Sequence, residues 1–417
     1  MILINEILDK FPKDVWGNKN LKWFDPATGM GNFIIAVYLR LMEGLKEEII
    51  NITERKRHIL ENMLYMSELN KKNVILCREI FDINNEYKLN IYEGNTLEFE
   101  PFEIFKIKNF DIILGNPPYN KGGIRSHTRK QLGEKNETIW TKFIEKAFIW
   151  LKPNGYLAYI NPLKWLKKSH SLHNIILEKH IIWLKLWDDL QSKVVINADI
   201  PISIYILHNK INNNNEKTEI ISEIKRKKLV TTLHEYLNKN YSIPLAYHSI
   251  FNKLVNYIEK NNCSLEYHAK TIKSSGTKIK LPTNYKLEDM YAVDTYTINE
   301  GILIKKANEL HPDATKRKII IANKRGFKGA FIDECKLSLT GKEKIYIMGD
   351  NLELILKIMN FKICSMICDY TKYRMSFLEK EVCNYIPDIR KLNINDIDEI
   401  QFYKLIGLTE DEIKLFI

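Results

Sequence analysis

The first 115 residues alternate between short apolar runs and longer segments with helical spacing. The apolar runs are four to six residues long and cover residues 22–25, 64–68, 89–93 and 110–115. Helical patterns lie between them, at residues 34–45 and 73–81. Short strands that alternate with helices are typical of a parallel sheet with helices on both faces. The pattern predicts an α/β fold built on a doubly wound sheet.

The pattern continues in a less regular form beyond residue 115. A helix, a break and two strands are predicted at residues 139–151, 152–155, 156–160 and 200–207. The polar run at residues 212–215 predicts a hairpin turn into a strand at 218–224. We expect the first domain to close there and place the boundary near residue 230.

The second part of the chain, residues 231–417, has a mixed pattern. An apolar strand is predicted at residues 319–321, and helices are predicted at residues 352–378 and 396–416. These elements predict a C-terminal α+β domain.

A rigid polar tetrapeptide, Asn116-Pro117-Pro118-Tyr119, directly follows the apolar run that ends at residue 115. It suits the binding of a planar amine such as that of adenine, which is a poor nucleophile because its lone pair is delocalised. The side-chain oxygen of Asn116 and the carbonyl of Pro117, held by proline geometry, offer two fixed acceptors for the amine hydrogens. The ring of Tyr119 offers a face on which a base stacks. A tight turn is the structural alternative.

A glycine-containing turn joins the first strand to the first helix and reads Asp25-Pro26-Ala27-Thr28-Gly29-Met30-Gly31-Asn32-Phe33. Glycines at such a turn let a ligand approach the backbone closely. The third glycine of the dinucleotide fingerprint is missing, and the carboxylate of Asp25 suits an ammonium group better than a pyrophosphate. S-adenosylmethionine carries an ammonium and a sulfonium rather than phosphates. An ordinary glycine loop is the alternative.

Two further polar positions end predicted strands. Glu68 ends the second strand, where a carboxylate grips a ribose diol, and Asn95 and Thr96 follow the third strand. Asn95 is placed to bond the adenine edge of a cofactor. Because the carboxyl ends of parallel strands share one edge of a sheet, we expect these residues to line the same site as Asp25.

Residues 25–33, followed by residues 116–119, resemble the S-adenosylmethionine-dependent amino-methyltransferases that act on adenine N6 in DNA. The motif order and the long C-terminal region are similar to the gamma class of restriction–modification systems. The resemblance covers roughly the first half of the chain. It implies a Rossmann-like catalytic domain at residues 1–230 and a target-recognition domain at residues 231–417.

The resemblance also implies S-adenosylmethionine as cofactor and a flipped adenine in duplex DNA as substrate. It implies that Asn116, Pro117, Pro118 and Tyr119 are catalytic. The cofactor pocket that it implies is formed by Asp25, Pro26, Ala27, Thr28, Gly29, Gly31, Asn32, Phe33, Glu68, Asn95 and Thr96.

Two features depart from the family pattern. The family usually has an acidic residue where Asn95 stands, so we expect altered or weaker cofactor affinity. The motif that closes the methionine end of the pocket lies upstream of a helix such as residues 2–11, whereas this chain begins at that helix. We expect a reduced pocket wall, or an original start upstream of Met1.

Basic residues mark the predicted DNA contacts, and the formal net charge of +11 suits a polyanionic partner. One group lies in the polar, glycine-bearing segment after Tyr119, where a mobile loop would order over phosphates. The other lies around the 319–321 strand, and residues 270–280 are also basic. The predicted DNA-binding residues are Lys121, Arg125, Arg129, Lys130, Lys316, Arg317, Lys318, Lys324, Arg325 and Lys328. A solvated surface face is the alternative for any individual lysine.

Composition narrows the class of protein. No run approaches 18 uninterrupted apolar residues, and no signal-peptide pattern is present, so we expect no membrane contact and a cytoplasmic location. The six cysteines form no C-x-x-C pair, which favours reduced core thiols and no metal site. We expect a monomer or weak dimer.

Other functions stay open. A nuclease-like pattern occurs at Pro312-Asp313 and Glu334-Cys335-Lys336, although such short patterns arise easily by chance. The interpretation we favour is a modification methyltransferase, with a cognate restriction endonuclease as a candidate partner. The alternatives are an RNA amine or protein glutamine-N5 methyltransferase, or a DNA-binding specificity subunit with a degenerate cofactor site. Chains of the glutamine-N5 type end soon after the tetrapeptide, whereas this one continues to residue 417.

Overall fold

The computed structural model describes residues 1–121, 138–211, 216–233, 240–297, 299–341, 344–373 and 379–417; at residues 233 and 322–325 only the backbone is considered. The chain forms two compact units, Met1–Lys239 and Asn240–Ile417. The division lies nine residues beyond the predicted boundary at 230, because a strand at Lys227–Leu233 still pairs within the first sheet.

The described residues of the first unit form a nine-stranded sheet with the order β3-β2-β1-β4-β5-β7-β6-β8-β9. Strands β1 to β5 are parallel, and β7 is antiparallel to both of its neighbours, β5 and β6. The predicted doubly wound methyltransferase-type sheet is therefore confirmed. The strands are β1 Trp23–Asp25, β2 Leu64–Glu68, β3 Asn90–Glu93, β4 Phe110–Gly115, β5 Leu151–Pro162, β6 Lys179–Trp187, β7 Ile202–Ile211, β8 Thr218–Ile224 and β9 Lys227–Leu233.

Helices cover both faces of this sheet. The α-helices are α1 Ile2–Leu8, α2 Asn32–Gly44, α3 Ile52–His58, α4 Lys71–Asp82, α5 Pro101–Phe105, α6 Trp140–Trp150, α7 Leu172–Leu177 and α8 Asp189–Ile196. A π-helical turn at Ile59–Met63 follows α3, and 3-10 turns lie at Lys13–Trp16, Thr96–Glu98 and Leu163–Leu166. None of the helices within the described ranges is long and apolar enough to cross a membrane.

Adjacent residues of β1 show how the two faces are filled. Trp23 packs with the apolar residues of α2, whereas Phe24 stacks on Phe110 with ring centroids 4.3 Å apart and meets Trp150 of α6 edge-on. Successive side chains of a strand point to opposite faces, so both cores meet at this strand. The apolar runs of β1 and β4 follow from burial on both sides.

The predicted hairpin at residues 212–215 is wrong. β8 pairs in parallel with β6 and antiparallel with β9, while β7 lies between β5 and β6. The error arose because β6, which separates β7 from β8, was not recognised in the sequence. The predicted break at 152–155 corresponds to an irregularity within β5, where pairing moves from Phe110–Leu151 to Ile112–Tyr156.

The second unit is an α+β structure, as predicted. Its described strands form two sheets with the orders β10-β12-β11-β15 and β14-β13-β16. The strands are β10 Ser274–Lys280, β11 Tyr291–Thr297, β12 Gly301–Ala307, β13 Lys318–Ala322, β14 Ala330–Asp333, β15 Ser338–Leu339 and β16 Lys344–Ile347. The helices are α9 His248–Lys260, α10 Leu352–Met359, α11 Lys362–Tyr370, α12 Glu399–Leu405 and α13 Glu410–Ile413, with 3-10 turns at Leu287–Asp289, Asn323–Gly329, Lys380–Tyr385 and Ile389–Leu392.

A buried ion pair stands in the core of this second unit. Lys318 of β13 and Asp333 of β14 are both fully buried, and Nζ of Lys318 lies 2.7 Å from Oδ2 of Asp333. The ammonium also donates to the carbonyls of Ala314 and Lys316, and the carboxylate accepts from the backbone of Leu337. Both charges of this pair are thus balanced and hydrogen-bonded, as a buried ion pair requires.

Lys318→Met is expected to destabilise the second unit by about 3–5 kcal/mol, because it leaves the Asp333 carboxylate buried without its counter-charge. All seven tryptophans lie in the first unit, so tryptophan fluorescence does not report on unfolding of the second unit. Hydrogen exchange at Lys318–Ala322 and Ala330–Asp333 measures the loss of stability there. The control is Lys357→Met, which removes an exposed pair with Asp396 and is expected to cost below about 1 kcal/mol. Equal effects of the two variants would contradict the assignment.

Candidate active site

The order of strands places a switch point between β1 and β4. Strands on the β1 side continue to β2 and β3, and those on the other side continue to β5. Ligands of open α/β sheets bind at such a point, outside the carboxyl ends of the strands. Here β1 ends at Asp25 and β4 ends at Gly115, directly before Asn116. The two predicted motifs therefore meet at one edge.

Gly115 allows the two strand ends to approach closely. A Cβ atom at this position would lie 2.7 Å from Oδ1 of Asp25, and the backbone has a φ of +150° that other residues rarely adopt. The space of a side chain at residue 115 is thus filled by the Asp25 carboxyl group. Sequence analysis did not single out Gly115.

Asp25 is buried, and its Oδ1 accepts from the backbone N–H of Ala27 at 3.0 Å. Burial raises the pKa of Asp25 to about 7; the Ala27 N–H opposes this shift, and the charge of Glu68 adds to it. Because the folded chain holds this proton more tightly than the unfolded chain, Asp25 contributes less to stability as the pH rises from about 4 to about 7. A cation close to this carboxyl group would lower its pKa and favour the ionised form.

Glu68 holds the glycine turn in place. Its Oε2 accepts from the N–H of Gly29 at 2.7 Å, and its Oε1 accepts from the N–H of Asn70 at the same distance. The turn is further closed by bonds from Thr28 N–H to the carbonyl of Ser67 and from Gly31 N–H to the carbonyl of Thr28. A carboxylate has about four acceptor sites, so Glu68 retains capacity for a ligand hydroxyl.

Thr96, predicted to bind the cofactor, forms bonds that fix the neighbouring loops, and its contact with a cofactor remains a prediction. Its buried hydroxyl donates to the carbonyl of Pro26 at 2.7 Å and bonds the hydroxyl of Ser67 at 2.6 Å. Phe33 belongs to the first turn of α2, and its ring is buried in the core, while its role in cofactor binding remains a prediction. Strand ends thus hold both candidate binding groups and the bonds that fix the loops.

The other predicted cofactor residues lie around the same turn. Pro26 is buried, Ala27 is half-buried and Asn32 is exposed at the start of α2. Asn95 accepts from the N–H of Leu97 at 3.2 Å and donates to Glu98 at 2.7 Å. Its amide keeps one donor and one acceptor site, and it remains a predicted contact.

The tetrapeptide lies at the end of β4. Asn116 is exposed, Pro117 is buried and the ring of Tyr119 is half-buried against the core. The Tyr119 hydroxyl donates to Oδ1 of Asn116 at 3.1 Å. Because the Tyr119 hydroxyl is the donor, its partner is the amide oxygen of Asn116. This bond orients Oδ1 of Asn116 toward Tyr119. Burial raises the pKa of Tyr119, so its hydroxyl stays protonated.

The residues directly after the tetrapeptide lie beside the residues that precede α6. Asn120 forms a bridge with Thr138, and the N–H of Ile139 donates to the carbonyl of Tyr119 at 3.1 Å. Lys121, the residue after Asn120, is exposed. The predicted DNA-binding residues Arg125, Arg129 and Lys130 lie outside the described residues.

The predicted DNA contacts of the second unit divide into four cases. Lys318 is fully buried in its pair with Asp333, so the prediction that it contacts DNA is wrong. Arg317 bonds the carboxylates of Glu334 and Glu353, and Lys316 pairs with Asp313, so these two charges already have acidic partners. Lys328 is exposed. The side chains of Lys324 and Arg325 lie outside the described part of the chain.

A basic group that sequence analysis missed lies at the end of β5. Lys164 and Lys167 follow β5 at the same edge as the tetrapeptide, together with His170. The imidazole of His170 stacks on Trp140 with centroids 5.3 Å apart, and Trp140 directly follows Ile139. Burial and the charge of Lys164 lower the pKa of His170. A lysine-rich turn directly after a strand was the signal available in the sequence.

The nuclease-like pattern has no shared centre. Asp313 accepts from the hydroxyl of Tyr346 at 2.6 Å, whereas Glu334 bonds Arg317. Across the described ranges, no group of three or more histidine, cysteine or acidic side chains is placed to hold a metal ion.

The comparison with protein families matches a part of the first unit. The sequence model of the Eco57I restriction-modification methylase family matches residues 48–192, which include Glu68, Asn95 and the tetrapeptide. This part of the chain is therefore similar to the domain of that family, and the resemblance to restriction–modification methylases is confirmed. The match does not extend to residues 25–33.

Two curated relatives share about a quarter of their residues with this chain. An uncharacterized adenine-specific methylase of Mycoplasma pneumoniae is 26% identical, over 39% of this chain and 53% of the relative. The type II restriction enzyme and methyltransferase RM.Eco57I of Escherichia coli is 24% identical, over 36% of this chain and 20% of the relative. The chain thus spans about half of the first protein and a fifth of the second.

A solved structure resembles a larger share of the chain. The Type IIL restriction-modification enzyme MmeI in complex with DNA is 12% identical and has a TM-score of 0.50. The likeness covers 91% of this chain and 65% of that enzyme. At this identity the likeness concerns the fold alone.

Gly115→Ala is expected to destabilise the first unit by more than about 3 kcal/mol, because the new methyl group displaces the Asp25 carboxyl and strains the backbone. The control Gly29→Ala, which has a φ of +58° and no neighbour within 4 Å of the added atom, is expected to cost about 1–2 kcal/mol. Tryptophan fluorescence during urea unfolding measures both.

The contact with Asp25 is tested by a double variant. In the Asp25→Ala background the cost of Gly115→Ala is expected to fall by at least about 1 kcal/mol, since the displaced atoms are gone. Additive effects would contradict the proposed close approach.

Proposed function

We propose that this chain, whose residues 48–192 are similar to a restriction-modification methylase domain, transfers a methyl group from S-adenosylmethionine to the N6 amine of adenine in duplex DNA. The observation that carries the proposal is the meeting of Asp25 and Asn116 at one switch point, with Gly115 between them. An anionic group for a cationic cofactor thus stands beside paired acceptors for an amine.

The groups at this edge fit the proposed cofactor. Asp25 would bind the ammonium, and the remaining acceptor sites of Glu68 would bind the ribose hydroxyls. A Cβ atom added at Gly29 would have no neighbour within 4 Å, which leaves space for a ligand at the turn. Asn95 would contact the adenine edge. When bound, S-adenosylmethionine supplies an electrophilic methyl group on a sulfonium.

The tetrapeptide would prepare the amine for attack. Oδ1 of Asn116 has a second lone pair beyond its bond from Tyr119, and the Pro117 carbonyl supplies the other acceptor. Two accepted N–H bonds draw the amine nitrogen away from conjugation with the ring and fix its direction. Tyr119 would stack on the base. The proton of the amine is lost to water during or after transfer.

Duplex DNA is the proposed substrate, and the adenine must leave the stack to reach this edge. Lys121, Lys164 and Lys167 stand near the tetrapeptide and would hold phosphates of the displaced strand. The second unit would read base edges, with Lys328 as an exposed cation. The names of the relatives support DNA over RNA or protein, and a cognate endonuclease remains a proposed partner.

Asn116→Ala is expected to lower methyl transfer by about 10²–10³-fold, because one acceptor for the amine is removed. The assay uses labelled S-adenosylmethionine, mixed-sequence duplex DNA and nucleoside analysis of the product, which should be N6-methyladenine. Asn84→Ala, an exposed position on the same unit, is the control and should retain full activity. Labelling of RNA or protein but not DNA would contradict the proposal.

Cofactor affinity is expected to rise between about pH 6 and pH 8. The pKa of Asp25 is raised to about 7, the ammonium binds its ionised form, and affinity therefore falls up to about 10-fold per unit as the pH drops below this value. Titration calorimetry in buffers of different ionisation enthalpy also measures the proton released. Asp25→Asn should bind weakly and remove this dependence. A constant wild-type affinity would contradict the role of Asp25.

A further inference from the structure

Tyr159 of β5 has a buried hydroxyl group without a partner. The residue is 1% exposed, and its oxygen makes no hydrogen bond within the described part of the chain. Two polar pairs nearby are bonded: Asn161 donates to the hydroxyl of Tyr205 at 3.1 Å, and Trp165 donates to Ser203 at 2.8 Å. Buried polar groups nearly always have partners, so this exception calls for an explanation.

The position of Tyr159 points to the candidate active site. It pairs with Gly115 on one side and with Tyr205 on the other. Across Gly115 stands the carboxyl group of Asp25, which occupies the space of the missing side chain. Burial, the neighbouring Tyr205 and the charge of Asp25 raise the pKa of Tyr159, so its hydroxyl stays protonated.

The groups that face Asp25 explain why a further donor is useful. Glu68 faces it from β2 with a like charge, and Cys77 faces it from α4 as a neutral thiol, because burial raises the pKa of Cys77 to about 11. Ala27 and Thr28 are the donors that favour the ionised form. These two donors do not offset the effect of burial, and another donor would favour the carboxylate further.

We propose that Tyr159 is a positioning residue for cofactor binding: its hydroxyl donates to the Asp25 carboxylate once a bound ammonium keeps Asp25 ionised. The inference rests on the proposed function. A carboxylate is a stronger acceptor than a neutral carboxyl group, so the hydrogen bond and the bound cation strengthen each other. The Tyr159 hydroxyl thus has no partner in the free protein and donates to Asp25 only in the complex with the cofactor.

Tyr159→Phe tests this inference because it removes only the hydroxyl. The free variant should melt at the same or a higher temperature than the wild type, since no bond is lost. Its affinity for S-adenosylmethionine, measured by calorimetry near pH 7.5, should fall by roughly 10-fold or more. The pH midpoint of binding should shift upward. The control is Tyr205→Phe, which should lower the melting temperature through loss of the Asn161 bond and leave binding unchanged.

The outcomes separate the inference from the proposed function. A variant that binds S-adenosylmethionine with wild-type affinity and pH dependence would overturn the role of Tyr159 alone. A lower melting temperature of the free variant would also overturn it, because the hydroxyl would then have a partner before binding. Absence of binding by the wild-type protein would overturn the proposed function together with the inference.

Discussion

The close approach of two parallel strand ends is the constraint on which the site depends. Because Gly115 has no side chain, the Asp25 carboxyl group can lie against β4. The same glycine directs the chain into Asn116, and Tyr159 lies beside it in β5. One residue without a side chain thus brings a buried acid, an amide and a phenol to the switch point of the sheet. The motifs are separated in the sequence, and only the strand order brings them together.

The sequence predicted those parts of the site that depend on strand ends. The runs of β2 and β4 are apolar because both faces are buried, so their ends and the polar residues after them could be located. The burial of Lys318 and the internal bonds of Thr96 were not predicted, because they depend on partners distant in sequence, the carboxylate of Asp333 and the carbonyl of Pro26. The pairing of β8 with β6 and the position of Tyr159 likewise follow from tertiary contacts that local patterns do not contain.

Several basic residues of this chain have structural partners. Lys318 neutralises a buried carboxylate, and Arg317 joins two glutamates, so these charges contribute to the structure of the second unit. Lys164 and Lys167 follow β5 at the edge of the sheet where β4 ends. Net charge alone does not predict the role of a lysine, since burial and ion pairing differ from one lysine to the next.

The central claim is that one edge of the sheet, at the switch point between β1 and β4, holds the cofactor beside the target amine. Hydrogen exchange of the full chain with and without S-adenosylmethionine tests it most directly. Slower exchange is expected at residues 25–33, 66–70 and 115–119, with residues 240–417 unchanged in the absence of DNA. Protection confined to other parts of the chain, or no protection at a saturating concentration, would contradict the claim.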